Sequence, residues 1–412
     1  MPDTHKLPVQ QFLRTHSPRE LLAAHGVHVN PSADGRVVSV SYDQILAKKS
    51  DPLVLECRGL VLHLHDGTFD PDRPLGVTQI LARPFRRFFN HGEGGPEHQL
   101  DLTNPEVTYE NKEDGTLIIV YHDPYANYCA GGWQVATRSV PRGDQKASRL
   151  GGDTTFRDLF LRALGVDDLD RWAKDRDLDG ITRLSGRCTY LFELTTPLNE
   201  VFVRQDKFRV TLLGVRDRET GYEANPVKCA ERVGVPTPRQ FQFANAAEAF
   251  AFIHSQPPQE HEGMVAKRRV GEGYHRAKIK NAAYVAASHV QGGNGAINSP
   301  RSLMTLILTG AFGDVESTLN AHTAEVGRQM EAALATYCQE QDAAYDRLFV
   351  PGMSRKDLAI AMGTAGLNVP ACFARYEGKV PNYAGYIQSQ RQADGWKDGV
   401  LDHLIRACGV KA

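Results

Sequence analysis

Short runs of apolar and β-branched residues, separated by turn residues, follow one another along the first half of the chain. The runs are RVVSVSYD (36–43), LVLECRGLVLHL (53–64), TLIIVY (116–121), TYLFEL (189–194) and RVTLLGVRD (209–217). Such runs are typical of strands. Helical patterns lie among them at residues 155–165 and 245–255, and a serine cap followed by proline predicts a helix from Ser17–Pro18. The mixture predicts an α+β domain with antiparallel or mixed sheets.

The pattern changes near residue 290. QGGNGAINSP (291–300) has the composition of a connector. Beyond it, apolar residues recur at spacings of three and four over residues 316–349, which predicts a long amphipathic helix. Further helices are expected at residues 354–366 and 395–408. We therefore expect two domains, residues 1–290 and an all-helical C-terminal domain at residues 291–412.

Composition narrows the class of protein. The 412 residues include 48 basic and 49 acidic ones, and 41% are hydrophobic, as in soluble globular proteins. No stretch approaches the roughly 20 apolar residues of a membrane span, and the N-terminus lacks the apolar core of a signal peptide. Seven scattered cysteines without a Cys-x-x-Cys pair indicate reduced thiols. We expect a cytoplasmic protein without a membrane partner.

Basic residues nevertheless cluster locally in this nearly neutral chain. Three such groups lie at residues 83–87, 267–269 and 278–280. A basic site on a neutral body favours a phosphate-bearing ligand. The alternative for any one group is a solvated charged face, which is common.

The segment Lys112–Gly115, with the sequence KEDG, lies directly before an expected strand. One interpretation is a hairpin turn, since Asn and Asp-Gly supply left-handed backbone conformations. The other is a nucleophilic lysine that attacks a nucleoside triphosphate. A lysine amine reacts only when unprotonated, so its pKa must fall from about 10.4.

Two further signals fit the second interpretation. Alternation along Lys278–Lys280 (KIK) puts both ammonium groups on one face of a strand, where they would lower a neighbouring lysine's pKa and bind phosphate. The alternative is an edge strand protected by lysines. Glu193 and Glu262 lie in apolar, strand-like surroundings, and a buried carboxylate needs a partner. That partner is an arginine, a ribose hydroxyl or a magnesium ion.

In this order, KEDG, FEL (192–194), EGMVAK (262–267) and KIK (278–280) resemble the motifs of the covalent nucleotidyltransferases, which include DNA ligases, RNA ligases and mRNA capping enzymes. ECRG (56–59) followed by ARPFRRFFNHGE (82–93) resembles the N-terminal signature of phage-type RNA ligase 1, the ATP-dependent tRNA-repair RNA ligases. The resemblance covers residues 40–290. It departs from the family at Thr116 after KEDG and at the Gly-rich loop VGEGYH.

The resemblance implies a nucleotidyltransferase (ATP-grasp-like ligase) domain that joins RNA 3'-OH and 5'-phosphate ends through lysyl-AMP and RNA-adenylate intermediates. Its cofactors would be ATP and Mg²⁺ or Mn²⁺. The C-terminal domain would serve as an RNA-specificity module, with nicked tRNA as one candidate substrate. Because the chain has no P-loop, a separate polynucleotide kinase or phosphatase would heal the ends. The alternatives are a DNA ligase, a capping-type enzyme, or a non-catalytic protein that binds RNA ends.

The resemblance also implies roles for the matching residues. Lys112 would be the nucleophile that forms lysyl-AMP, and Gly115 would keep the turn open beside the nucleotide. Glu193 would hold the ribose hydroxyls, and Glu262 would serve the metal ion. All of these roles are expectations. Catalysis at phosphorus depends mainly on positioning of the reacting groups and on positive charge beside the phosphate oxygens.

The phosphate contacts implied by the resemblance come from basic residues in three segments. Lys278 and Lys280 would hold the α-phosphate. Arg58 and Arg87 would contact the triphosphate or the RNA 5'-phosphate, and Phe89 would help form the nucleotide pocket. The backbone expected to read the adenine edge is that of Glu110 and Asn111.

Overall fold

The computed structural model divides into two compact units, Met1–Asp43 with Ala47–Ala287, and Gln44–Leu46 with Ser288–Ala412. The residues it describes are 7–44, 46–65, 67–93, 95–143, 154–175, 181–198, 203, 205–257, 260–281, 284, 300–316, 319, 321–377, 379, 381–387 and 405. None of the described helices is both long enough and apolar enough to cross a membrane.

The first unit opens with two helices and a four-stranded antiparallel sheet. Helices α1 and α2 span Pro8–Leu13 and Pro18–His25, and strands β1–β4 span Val27–Pro31, Val37–Tyr42, Arg58–Leu64 and Thr78–Ala82, paired in chain order. The helix expected from Ser17–Pro18 is confirmed, and Ser17 accepts a hydrogen bond from the backbone of Glu20.

The single strand expected over residues 53–64 is wrong in its first part. Val54–Glu56 form a turn of 3₁₀ helix, and β3 begins only at Arg58. Leu53 and Val54 are buried in the core beneath the first sheet. The turn directs Glu56 away from that core toward a group of arginines described below.

Two five-stranded sheets complete the first unit. Their strands are β5 (Phe89–Asn90), β6 (Thr108–Asn111), β7 (Thr116–Asp123), β8 (Gly132–Ala136), β9 (Cys188–Thr195), β10 (Arg209–Asp217), β11 (Glu223–Ala224), β12 (Gln240–Phe241), β13 (Gly263–Val270) and β14 (Gly273–Lys280). The second sheet has the order β11-β10-β9-β7-β8, and the third has the order β12-β6-β13-β14-β5. Only the β14–β5 pair is parallel among the described pairs, so the third sheet is mixed.

Helices cover the outer faces of these sheets. They are α3 (Ala126–Cys129), α4 (Phe156–Leu164), α5 (Leu169–Lys174), α6 (Pro226–Val233) and α7 (Ala246–Ser255). One core joins the second sheet to α4, α5 and α6, and another joins the third sheet to α7. The first and second sheets share a third core that includes Val61, Ile119 and Leu191. The helices expected at residues 155–165 and 245–255 are confirmed.

The second unit is helical between residues 300 and 387, where every described element is a helix. Its helices are α8 (Pro300–Leu308), α9 (Phe312–Val315), α10 (Ala321–Leu348), α11 (Arg355–Thr364) and α12 (Val369–Tyr376). The long expected helix is confirmed as α10, although it begins five residues later than its apolar pattern suggested. The helix expected at residues 354–366 is α11. The one expected at 395–408 lies outside the described residues, except for Ile405.

Candidate active site

The segment Lys112–Gly115 connects two different sheets. It leaves β6 in the third sheet and enters β7 in the second, so the hairpin interpretation is wrong. None of its residues has a positive φ angle. Gly115 is needed for another reason, since a Cβ there would lie 2.4 Å from the carbonyl oxygen of Leu194 in β9. The segment therefore packs tightly against the strand that carries Glu193.

Lys112 is positioned by the neighbouring strand β13. Its backbone N–H donates to the carbonyl of Gly263 at 2.9 Å, and its Nζ lies 2.5 Å from Oε2 of Glu262. Because Gly263 pairs with Lys280 across β13 and β14, the Lys280 Nζ reaches Oε1 of the same carboxylate at 3.1 Å. One buried carboxylate thus holds two ammonium groups. Burial opposes ionisation of Glu262, but the two lysines outweigh it and hold its pKa below the ordinary value.

Gly263 allows this close arrangement of strands. Its φ angle is +149°, and an added Cβ would lie 2.3 Å from the carbonyl oxygen of Ile279. A side chain there would push β13 from β14 and separate Glu262 from Lys280. The glycine of EGMVAK therefore has a structural role inside the motif.

Glu193 lies on β9 between Leu117 of β7 and Thr211 of β10. Among the described residues, its carboxyl group has neither a hydrogen-bond nor an ion-pair partner. Burial raises its pKa to about 8; the charge of Lys112 opposes this rise and the charge of Glu262 adds to it. The carboxyl is therefore mostly neutral at pH 7 and able to donate or accept a hydrogen bond.

Asp114 closes the cluster from the side of KEDG. Its Oδ2 accepts hydrogen bonds from the Val203 backbone at 3.0 Å and from the Tyr284 hydroxyl at 3.1 Å. Burial raises its pKa, and the charge of Glu262 adds to the rise. The sequence did not single out Tyr284. It lies four residues after Lys280, beyond the end of the expected strand, and this nearness to the KIK motif is the feature that could have indicated it.

Arg58 and Lys278 meet at the ring of Phe88. The guanidinium of Arg58 lies 5.2 Å from the ring centroid, and Lys278 Nζ lies 5.4 Å from it. Arg58 Nη1 is buried without a hydrogen-bond partner among the described residues, and burial lowers its pKa. Electrostatic coupling between Arg58 and Glu193 links this group to the lysine cluster.

Phe89 and Arg87 lie beside Phe88 and contact each other, with the Arg87 guanidinium 5.1 Å from the Phe89 ring centroid. Phe89 is 3% exposed and packs against His98, with ring centroids 4.6 Å apart. The Arg87 guanidinium lies 4.1 Å from the Tyr42 ring centroid. Phe88 is therefore in contact with Arg58 and Lys278, and Phe89 is in contact with Arg87. The role of Phe89 in a nucleotide pocket stays a prediction.

Glu110 and Asn111 already have partners within the third sheet. The Glu110 carboxylate forms a buried ion pair with Lys267 and accepts a hydrogen bond from Gln240. The backbone N–H of Asn111 donates to the carbonyl of Arg239 at 2.9 Å. These contacts hold the strand that precedes the lysine.

The oxygen donors near Lys112 suit one kind of metal ion. Among the described residues, no three acidic, histidine or cysteine side chains form a ready cage for a metal. Glu262, Glu193 and Asp114 are instead coupled through their charges. Mg²⁺ is usually bound by one or two carboxylates together with waters and substrate phosphates. The donor set fits such an ion, with the phosphates completing its coordination.

A family profile for RNA ligase, RNA_lig_T4_1, matches residues 56–284, which is more than half of the chain. The matched region contains the lysine cluster, Glu193 and Arg58. The chain belongs to this RNA ligase family.

A curated relative is 24% identical over 318 residues, and it is inferred to be a bifunctional polynucleotide kinase/RNA ligase of Autographa californica nuclear polyhedrosis virus. The match covers 75% of this chain but only 41% of the viral protein. This RNA ligase family member thus spans less than half the length of that relative.

Two solved structures show low similarity. An archaeal ATP-dependent RNA ligase is 14% identical with a TM-score of 0.41, covering 97% of this chain and 89% of that one. A Naegleria gruberi RNA ligase with PPi is 13% identical with a TM-score of 0.32, covering 45% and 52% of the two chains. At these scores neither structure assigns chemistry to this chain.

Proposed function

We propose that this RNA ligase family member uses ATP to join an RNA 3'-hydroxyl to an RNA 5'-phosphate. The observation that carries the proposal is the Lys112–Glu262–Lys280 cluster, in which an amine inside the motif KEDG lies beside a second amine suited to phosphate. The carboxyl of Glu193, which has no partner among the described residues, is electrostatically coupled to both Lys112 and Glu262. Nucleophile, phosphate binder and hydrogen-bonding carboxyl are thus gathered in one place.

The proposed reaction has three in-line displacements at phosphorus. Lys112 Nζ attacks the α-phosphorus of ATP, a P–N bond forms, and the P–O bond to pyrophosphate breaks. The RNA 5'-phosphate oxygen then attacks the lysyl-AMP phosphorus, which frees the lysine and yields an RNA-adenylate. Finally the RNA 3'-hydroxyl attacks the 5'-phosphate and expels AMP.

The charged residues have matching proposed roles. Glu262 Oε2, 2.5 Å from Lys112 Nζ, is placed to take the proton that the amine must lose before it attacks. Lys280 and Lys278 stabilise charge on the α-phosphate, while Glu193 binds the ribose hydroxyls. Glu262 also serves a Mg²⁺ or Mn²⁺ ion, which when bound neutralises phosphate charge.

The outer contacts of the nucleotide are assigned to the basic and aromatic residues of the N-terminal signature. Arg58, with its buried unpartnered Nη1, contacts the triphosphate or the RNA 5'-phosphate. Phe88 contributes an aromatic wall between Arg58 and Lys278. Arg87 and Phe89 contact each other beside this wall, so Arg87 is assigned to the triphosphate or the RNA 5'-phosphate and Phe89 to the nucleotide pocket.

The two proposed activities are assigned to different parts of the chain. We assign adenylyl transfer to residues 1–290 and RNA preference, including nicked tRNA, to residues 291–412. A separate kinase or phosphatase supplies the 5'-phosphate and 3'-hydroxyl ends, and the reaction takes place in the cytoplasm.

A ligation assay tests the proposed substrate. Purified protein is incubated with a 5'-phosphorylated oligonucleotide of RNA or of DNA, with ATP or GTP and with Mg²⁺ or Mn²⁺, and the products are separated on a denaturing gel. We expect joined or circular RNA with ATP. Joining of DNA alone, transfer of GMP to an RNA end, or binding of RNA ends without AMP transfer under any condition would contradict the proposal.

A further inference from the structure

A cavity of about 550 Å³ lies in the first unit beside Phe88. Its walls are the segment from Arg83 to Phe89, the connection from β10 to β11 and the hairpin of β13 and β14. Neither Lys112 nor Glu262 lines it. Phe88 lines the cavity and also contacts Arg58 and Lys278, so the cavity adjoins the candidate active site. We call it the arginine cleft after five of its lining residues, Arg83, Arg86, Arg87, Arg216 and Arg276.

The arginine cleft carries an excess of positive charge around Glu56. Arg83 and Arg216 each approach this carboxylate to 2.9 Å, and Arg86 Nε lies 3.7 Å from it. Burial opposes ionisation of Glu56, yet the arginines hold its pKa near 2, so it stays charged. Glu97, Glu223 and Glu272 also line the cleft, and Glu223 pairs with Arg276, so five arginines face four carboxylates. The remaining positive charge is suited to a phosphate group.

The arginines are held in place before any ligand arrives. Arg216 donates to the carbonyls of Pro84 at 2.5 Å and Gly221 at 3.1 Å, and Arg83 donates to the carbonyl of Glu219 at 3.1 Å. Arg86 differs from them, because its side chain is 56% exposed. The cleft therefore combines guanidinium groups held by the protein with a more exposed one that can reach a ligand.

Aromatic rings stand beside these charges. Tyr274 lines the arginine cleft, and the guanidinium of Arg269 lies 4.9 Å from the Tyr222 ring and 5.1 Å from the Tyr274 ring. Alternating aromatic and guanidinium planes are the surfaces on which unpaired RNA bases stack. The cavity volume lies in the range of pockets that accept ligands of nucleotide size.

We propose that the arginine cleft binds the sugar–phosphate backbone of the RNA strand next to its reacting end. This inference rests on the proposed ligase function and names where that substrate lies. RNA fits better than the triphosphate of ATP, because Lys112, Glu262 and Lys280 do not line the cleft and the cleft carries an aromatic ring beside its charges. The competing outcome in the test is that the cleft is required for the use of ATP.

The test compares Arg86→Glu with Arg73→Glu. Arg73→Glu makes the same change of charge and serves as the control. The Arg73 side chain is 82% exposed, pairs with Asp70 and does not line the cleft. Binding of a short fluorescent single-stranded RNA with a 5'-phosphate is measured by anisotropy without ATP, at several salt concentrations. We expect Arg86→Glu to raise Kd by about tenfold, and Arg86→Ala to reduce the salt slope by about one. Arg73→Glu should bind like the wild type.

A second measurement separates RNA from ATP. The ATP concentration that gives half-maximal self-adenylylation is compared for the same variants, and thermal unfolding verifies that each is folded. Arg86→Glu should act only on RNA binding. Equal RNA affinity of Arg86→Glu and wild type, or a defect confined to the ATP requirement, would overturn the proposal. Wild-type protein that binds RNA without ligating it would contradict the proposed function, while the Arg86 comparison would still decide the role of the cleft.

Discussion

Two carboxyl groups in the first unit, the buried one of Glu56 and the half-buried one of Glu193, have opposite surroundings. Glu56 is contacted by Arg83 and Arg216 at 2.9 Å each, and its pKa lies near 2. Glu193 has no hydrogen-bond or ion-pair partner among the described residues, and burial raises its pKa to about 8. The arginines around Glu56 more than neutralise its charge, whereas the carboxyl of Glu193 is available to a polar group of a ligand.

The difference separates a charged group that is neutralised within the protein from one that is suited to a ligand. A buried ionisable group without a protein partner costs stability, so it persists where a ligand supplies that partner. The Lys112 region shows this pattern in Glu193, and also in Arg58, whose Nη1 is buried without a partner among the described residues. The Glu56 region shows the reverse, with excess arginines that hold the walls of a cleft together.

The largest expected effect comes from removing a cation of the lysine cluster. Lys280→Met leaves Glu262 paired with Lys112 but removes the second ammonium group, so we expect self-adenylylation to fall by about 10³-fold with little change in unfolding temperature. A single-turnover assay with labelled ATP measures the rate. Lys174→Met, which breaks an exposed pair with Asp170 on α5, is the matched control. Equal rates for the two variants would remove Lys280 from the site.

Glu56→Gln tests the other region. It leaves the 4%-exposed side chain of Arg216 without its counter-charge, so we expect the free energy of unfolding to fall by about 3 kcal/mol at pH 7. Because the pKa of Glu56 is lowered to about 2, this contribution is present above about pH 4.5 and is lost as the pH falls through 2. Urea unfolding at several pH values measures it.

Asp72→Asn is the control for Glu56→Gln. Asp72 pairs with Arg19 at 2.5 Å, but its side chain is 61% exposed, and exposed pairs contribute about 0–1 kcal/mol. A loss for Glu56→Gln no larger than that for Asp72→Asn would contradict the structural role of the Glu56 network.

Glu193→Gln should act in the opposite sense on stability. Burial raises the pKa of Glu193 to about 8, whereas the pKa in the unfolded chain is near 4.5. The folded wild type is therefore most stable below pH 4.5 and loses stability as the pH rises through 8. The glutamine cannot ionise, so the variant should be more stable than wild type by about 3 kcal/mol at pH 7, and equally stable near pH 4.5. Ligation should nevertheless fall by orders of magnitude.

Thermal unfolding across pH 4.5–8, together with the ligation assay, measures both effects. A variant that is less stable than wild type at every pH would show that Glu193 has a stabilising partner. In that case the contrast between Glu56 and Glu193 would be lost.

Local patterns in the sequence predicted much of this arrangement. Alternation in Lys278–Lys280 correctly placed both lysines on one face of a strand, and the helix and strand periods located most elements. Contacts between residues far apart in the sequence could not be predicted from these local patterns. Arg216 meets Glu56 across 160 positions, and Tyr284 meets Asp114 across 170.

The conformation of KEDG shows why the hairpin expectation failed. Asn and Asp-Gly are frequent in tight turns, but here β6 pairs with β13 and β7 pairs with β9. The segment therefore crosses between sheets, and its glycine provides close packing against Leu194. Turn propensity is local, whereas sheet partners are set by distant strands.

The central claim is that Lys112 becomes covalently attached to AMP. Wild-type protein, Lys112→Ala and Lys112→Arg are incubated with Mg²⁺ and α-³²P-ATP and separated by denaturing electrophoresis, after treatment with pyrophosphate to remove AMP already bound. Lys112→Arg keeps the positive charge beside Glu262 and so controls for loss of the ion pair. The account predicts a labelled wild-type band that is absent from both variants. Label retained in either variant, or absent from the wild type with ATP, would contradict it.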